Sequence, residues 1–164
     1  MKIARVTLSD RAAGGVYADA SGPEIERVAR QFFAEPLEWV RVLLPDDRTA
    51  LEAALRRLAD EEQCLLILTT GGTGPAPRDI TPEATRAVLE KELPGFGEIM
   101  RLHSYEKVKT AILSRATAGV RGRSLLINLP GRPDAIAECL PLIVPAIAEA
   151  LDHIAGFRPK LAPR

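Results

Sequence analysis

Apolar and polar positions along the chain follow two rhythms, one near two residues and one near 3.6. "KIARVTLS" (Lys2–Ser9) has the first rhythm and reads as a strand. After a loop, "DRAAGGVYADA", the segment "SGPEIERVARQFF" takes the helical rhythm, with Ile25, Val28, Ala29 and Phe32 on one face. Ser21 and Glu24 stand at capping-box spacing, and Pro23 suits the first turn. "LEWVRVLL" (Leu37–Leu44) is a second strand, and "PDDRT" opens a helix striped by Leu51, Ala54, Leu55 and Leu58. "CLLILTT" (Cys64–Thr70) is a third strand, followed by a glycine- and proline-rich stretch and a helix from Pro82 to about Glu92. Pro94-Gly95 breaks that helix, and "GFGEIMRLHSYEKV" resumes it. "ILSRATAGVRG" reads as a loop before the fourth strand, "SLLINL" (Ser124–Leu129). Pro141 and Pro145 interrupt the last helical region.

Strands three and four are almost wholly apolar, the pattern of strands covered by helices on both faces. Strand and helix alternate throughout, which predicts an α/β fold: a three-layer α/β/α sandwich with a mainly parallel sheet, one domain over residues 1–164. Hydrophobic residues make up 46% of the chain, enough for a packed core, while aromatics are only 4%, so that core is aliphatic.

Twenty-two basic and 22 acidic residues cancel. This removes the global basic field that nucleic acid or an anionic membrane selects, so an anion site has to be local. No apolar run approaches the ~20 residues of a membrane span, and the N-terminus shows no signal-peptide pattern; both predict a cytoplasmic protein. Cys64 and Cys139 sit on apolar segments and read as small buried hydrophobes. His103 and His153 lack zinc-ligand spacing.

In a parallel sheet, ligands bind beyond the carboxyl ends of the strands. Those ends carry Ser9-Asp10-Arg11, Pro45-Asp46-Asp47, Gly71-Gly72-Thr73-Gly74 and Pro130-Gly131-Arg132. The glycines suit a turn whose amides approach an anion, although the run is neither a P-loop nor a dinucleotide fingerprint. Asp46 and Asp79 have two readings. One is a pair of Mg²⁺ ligands between bound phosphates, since Mg²⁺ takes one or two carboxylates plus phosphate oxygens. The other is local bracing: Asp46 or Asp47 as a helix cap and Asp79 as the support of a turn. No Ser-His-Asp or Cys-His arrangement is visible.

"TTGGTGPAPRDITPEAT", "LPGFGEIMR", "AILSRATAGVRG" and "LINLPGRPDAIAECL" follow one another in order, with "SDRAAGGVYADASGP" and "LLPDD" ahead of them. Together they resemble the molybdopterin adenylyltransferase family of the Mog and MoaB type over nearly the whole chain. The resemblance implies a trimer that binds molybdopterin and ATP and, with Mg²⁺, moves AMP onto the terminal phosphate of the pterin, releasing pyrophosphate. It also implies that the pterin is thereby prepared for molybdenum insertion, which makes a molybdenum insertase a candidate partner. Carried over by motif, Asp46 and Asp79 are the catalytic, metal-binding pair. The pterin and nucleotide residues are Ser9, Asp10, Arg11, Gly71, Gly72, Thr73, Gly74, Ser114, Arg115, Pro130 and Gly131. A non-catalytic carrier of the MoaB type is the alternative, and it needs the glycine loops without both aspartates. A phosphate nucleophile already bears its charge, so the missing triad fits adenylyl transfer.

Overall fold

The computed structural model describes residues 1–163. A six-stranded sheet runs through it in the order β2-β1-β3-β6-β5-β4, with β1 Lys2–Leu8, β2 Glu38–Leu44, β3 Leu66–Thr70, β4 Lys91–Glu92, β5 Ala118–Arg121 and β6 Ser124–Leu129. The four strands expected from the sequence are β2, β1, β3 and β6, and they are parallel throughout. β5 and β4 complete one edge in antiparallel sense. Neither was expected: Lys91–Glu92 reads in the sequence as the end of the helix from Pro82, which stops at Val88, and β5 is four residues with Gly119 inside a segment that reads as loop. A Cβ on Gly119 would stand 2.3 Å from the Lys91 carbonyl oxygen, so glycine is what lets β4 approach.

The helices are α1 Asp10–Ala13, α2 Ser21–Phe32, α3 Arg48–Arg56, α4 Thr81–Val88, α5 Gly95–Lys107 and α6 Pro133–Ala155. Successive residues of a strand face opposite ways, and the core divides accordingly. Leu66, Leu68, Leu125 and Ile127 pack with Ile25, Val28, Met100 and Ile143 of α2, α5 and α6. Ile67 and Leu126 pack with Leu51, Leu55 and Val88 of α3 and α4 on the other side. Each such side chain contributes about 1.5–3 kcal/mol when fully buried.

Three local expectations need correction. The α1 turn occupies the start of a segment read as loop, capped by Ser9, whose Oγ accepts from the Ala12 amide at 3.2 Å. At α2, Ser21 caps nothing; Asp19 accepts from the Gly22 amide at 2.9 Å, and the Ser21 hydroxyl donates to the Gly131 carbonyl at 2.7 Å. Pro141 and Pro145 lie inside one continuous helix, α6. An interior proline costs about 3 kcal/mol. Here Pro145 is exposed and Pro141 half-buried, opposite the stripe of Ile136, Leu140, Ile143, Ile147 and Leu151, whose burial outweighs that cost.

The connection after β1 leads to β2 on one side, and the chain then returns across to β3 on the other side of β1. The loops leaving β1 and β3 therefore diverge, and a crevice opens between their carboxyl ends.

Candidate functional site at the carboxyl rim of the sheet

The two diverging loops touch. Gly71 has φ +92°, and a Cβ there would lie 2.3 Å from the carbonyl oxygen of Leu8, the last residue of β1. Gly72 has φ +66° and would meet the Thr81 hydroxyl at 2.4 Å. That hydroxyl donates to the Gly71 carbonyl at 2.8 Å, while the Thr81 amide donates to the Gly72 carbonyl at 3.0 Å. At Gly74 a Cβ would stand 2.8 Å from Asp79 Oδ2. Packing of the protein against itself thus accounts for glycine at these positions.

Asp47 is the N-cap of α3, accepting from the Ala50 amide at 2.7 Å, which leaves its neighbour Asp46 for another task. Asp46 Oδ2 accepts from the Asp10 amide at 3.2 Å, and the Asp46 amide donates to Asp10 Oδ1 at 2.9 Å. Asp79 Oδ2 accepts from the Ala76 amide at 3.0 Å, so the turn-bracing role expected of it is present. In both Asp46 and Asp79, Oδ1 accepts no hydrogen bond among the described residues. Burial pushes the Asp46 carboxyl above the usual carboxylate range; the amide of Asp10 works against it, the Asp10 carboxylate adds to it, Arg78 opposes it and Asp79 adds to it again. Arg78 forms an ion pair with Asp10. Two carboxylates with a free oxygen each, near enough to repel, form a set of hard donors suited to Mg²⁺. Among the described residues no three His, Cys, Asp or Glu side chains cluster as a closed metal cage.

Two clefts flank this rim and meet at Gly131 and Arg132. The larger, about 310 Å³, is lined by Thr73, Ser114 and Pro130 together with Arg101, Ser104 and Lys107 of α5. The smaller, about 290 Å³, is lined by Ser9, Tyr17, Asp19, Ser21 and Gly71. Thr70 donates its hydroxyl to the Pro130 carbonyl at 2.6 Å, tying the end of β3 to the loop between the clefts. Arg11 is exposed on α1 and lines neither cleft.

Arg115 is spent on the glycine loop. Its Nε donates to the Gly74 carbonyl at 2.9 Å, one Nη donates to the Asp79 carbonyl at 2.8 Å, and the guanidinium pairs with Glu83. Its amide donates to the Thr73 carbonyl at 2.8 Å. The arginine beside it pulls the Glu83 carboxyl below its ordinary range. Two residues at the site escaped the sequence reading. Arg101 donates to the Ser114 and Ala116 carbonyls at 3.3 and 2.9 Å, fixing the loop that carries Ser114. Asp19 accepts from Arg5 at 2.7 Å and from the Thr7 hydroxyl at 3.0 Å, anchoring the loop that carries Tyr17. Arg101 lies on a helix among several charges; for Asp19, its place just before the α2 start was the available signal.

This is an α/β domain whose crevice opens at the switch point of a parallel sheet, with glycine turns and paired aspartates on its rim. Residues 4–149 match the model of a family described as "Probable molybdopterin binding domain". The chain is 52% identical to the molybdopterin adenylyltransferase of Helicobacter pylori, over 92% of this chain and 86% of that one. It is 41% identical to the molybdopterin adenylyltransferase of Escherichia coli, over 100% and 96%. The structure of the molybdopterin biosynthesis enzyme MoaB from Thermus thermophilus superposes with a TM-score of 0.88 at 42% identity, covering 97% of this chain and 99% of that one. The chain belongs to this family of molybdopterin-binding domains.

Proposed function

We propose that the protein is a molybdopterin adenylyltransferase that uses Mg²⁺ and ATP. The terminal phosphate of molybdopterin attacks the α-phosphorus of ATP, a new P–O bond forms between them, the bond between the α-phosphorus and the α–β bridging oxygen breaks, and pyrophosphate leaves. The nucleophile is already an anion, so the protein's work is to bring two anions together and hold them in line. The observation that carries this reading is the pair Asp46 and Asp79, each braced through Oδ2 to a backbone amide with Oδ1 free, Asp46 through Oδ1 beside Gly72 and Asp79 through Oδ2 beside Gly74. These two carboxylates would hold Mg²⁺, which when bound would offset the charge of the phosphates. The clefts on either side of Gly131 would give each substrate its own seat, with the phosphates reaching from there to Asp46 and Asp79, which line neither cleft. Ser9, Thr73, Ser114, Pro130 and Gly131 line those seats. Arg115 acts by fixing the shape of the glycine loop.

The reading includes a homotrimer, a cytoplasmic location, one domain over the whole chain and delivery of the product to a molybdenum insertase. No helix among the described residues is long and apolar enough to cross a membrane. The test is pyrophosphate release from ATP and Mg²⁺, with and without molybdopterin. Release that requires the pterin supports the transferase. Pterin binding without release identifies a carrier. Light scattering at micromolar concentration checks the trimer, and a stable monomer or dimer counts against it.

A further inference from the structure

Four arginines stand on or near the rim, and the structure separates them by what their donors already do. Arg115 is committed to Gly74, Asp79 and Glu83. Arg132 forms a two-point pair with Asp134, at 3.1 and 2.9 Å. Arg11 lines neither cleft. Arg78 also lines neither cleft, and what sets it apart is its place beside the paired aspartates, bound to Asp10 and with its charge acting on Asp46. Its backbone is held on both sides: the Asp79 amide donates to the Ala76 carbonyl at 2.9 Å, and the Asp79 carbonyl accepts from Arg115. Its side chain is 69% exposed and engages only Asp10 among the described residues. A fixed root with a free head is what a group needs to reach a ligand that arrives from solvent.

Its partner is the replaceable part. Asp10 is already satisfied on Oδ1 by the Asp46 amide. An exposed ion pair contributes little to stability, whereas an arginine fork on phosphate forms two charge-assisted hydrogen bonds. Arg78 lies among Asp10, Asp46 and Asp79 and supplies the positive charge that keeps this acidic group tolerable without a cation. Asp46 and Asp79 would hold a divalent cation that offsets their charge in its place, and nucleotide phosphates would then offer the guanidinium a better partner.

We infer that Arg78 is a partner-switching arginine: it rests on Asp10 in the free protein and moves onto the triphosphate of the bound nucleotide. This rests on the nucleotide reading proposed above. The probe is α,β-methylene-ATP with Mg²⁺, whose α–β linkage is not cleaved, measured by titration calorimetry on folded protein. Arg78→Gln is expected to weaken binding by at least about tenfold, equivalent to roughly 1.4 kcal/mol, without lowering the melting temperature. Arg78→Lys, which keeps the charge and loses the fork, falls between the two. Asp10→Asn keeps an oxygen for the Asp46 amide and releases the arginine, so it tightens binding. If the Asp10 pair were merely a brace, Arg78→Gln and Asp10→Asn would weaken binding alike, and that outcome overturns the inference. Parent-like binding by Arg78→Gln overturns it as well while leaving the nucleotide reading intact. A parent protein that does not bind the analogue overturns both.

Discussion

Asp10 and Asp46 exchange hydrogen bonds reciprocally, each carboxylate accepting from the other's backbone amide, at 3.2 and 2.9 Å. The exchange ties the loop after β1 to the loop after β2 and aims the free oxygen of Asp46 toward the glycine turn, 3.4 Å from where a Gly72 Cβ would be. An asparagine oxygen accepts from an amide nearly as well as a carboxylate but is a far poorer Mg²⁺ ligand. Asp46→Asn and Asp79→Asn are therefore expected to keep stability within about 1 kcal/mol of the parent, the scale of a lost cap. For Asp46 the melting temperature stays level or rises, since burial already disfavours its charge. Turnover at saturating Mg²⁺ falls at least about tenfold, or roughly 1.4 kcal/mol in the barrier. Parent-like turnover in both variants would remove the metal assignment.

Arg115 gives a sharper separation of shape from charge. Its fork joins Gly74, Asp79 and Glu83, so no single-headed cation can replace it. Arg115→Lys is expected to cost about 1–2 kcal/mol, the range for lost charge-assisted hydrogen bonds, and to reduce turnover nearly as much as Arg115→Ala. If lysine restores turnover while alanine abolishes it, charge at this position matters more than bracing. Chemical denaturation beside steady-state rates distinguishes the two.

What the sequence reveals depends on how local the cause is. Leu66–Leu68 and Leu125–Leu129 are buried on both faces, so their apolar runs announce central parallel strands without reference to the rest of the chain. β5 escapes because Gly119 is there to admit β4, a relation between segments far apart in sequence. The rim motifs are legible as positions; the direction of their donors is not. Ser21 has the spacing of a cap, yet its hydroxyl goes to Gly131, 110 residues away, while Asp19 takes the first-turn amide of Gly22. Arg115 presents a positive charge in the sequence, and only the fold shows that Gly74 and Glu83 have taken it. Of Asp46 and Asp47, either suits a cap, and the α3 approach selects Asp47.

Glu26 controls acid stability on the α2 side of the sheet. Its carboxylate, with only 8% of the side chain exposed, accepts from Arg41, Arg5 and Arg30. The bond from Arg41 comes first in holding its pKa below the ordinary glutamate value, burial pushes the other way, and Arg5 adds to the lowering. A depressed folded pKa means that the unfolded chain takes up this proton first as pH falls. The stabilisation is complete above the ordinary glutamate range and is lost as pH falls through the lower folded value. Glu26→Gln leaves Arg5 with Asp19 alone and is expected to cost about 2–4 kcal/mol near neutral pH. The gap from the parent narrows at acid pH. A gap that stays constant from pH 7 to about 3 would show that the network's charge does not contribute.

Gly71 and Gly131 face each other across the junction of the clefts, and they divide folding from binding. At Gly71 an added Cβ would be 2.3 Å from the Leu8 carbonyl oxygen, with φ at +92°. Leu8 cannot give way, because β1 is paired on both sides, with Leu8 opposite Leu44 and Thr7 opposite Thr70. Gly71→Ala therefore combines a strained backbone with a backbone clash and is expected to cost about 2–4 kcal/mol. In a chain of 164 residues, that lowers the melting temperature by roughly 5–15 °C. Loss of activity in this variant is accordingly uninformative about ligands. At Gly131 the nearest atom to an added Cβ is Gly71 Cα at 3.5 Å, an ordinary contact, and φ is not positive. Gly131→Ala should keep stability within about 0.5 kcal/mol, the usual range for a change that meets no strain. Its methyl group nevertheless sits where both clefts open. If the loop admits substrate phosphates close to its backbone, affinity for α,β-methylene-ATP or for molybdopterin falls at least about tenfold, or roughly 1.4 kcal/mol, in a protein that melts like the parent. Parent-like affinity for both ligands would make the Pro130-Gly131 loop a turn and nothing more.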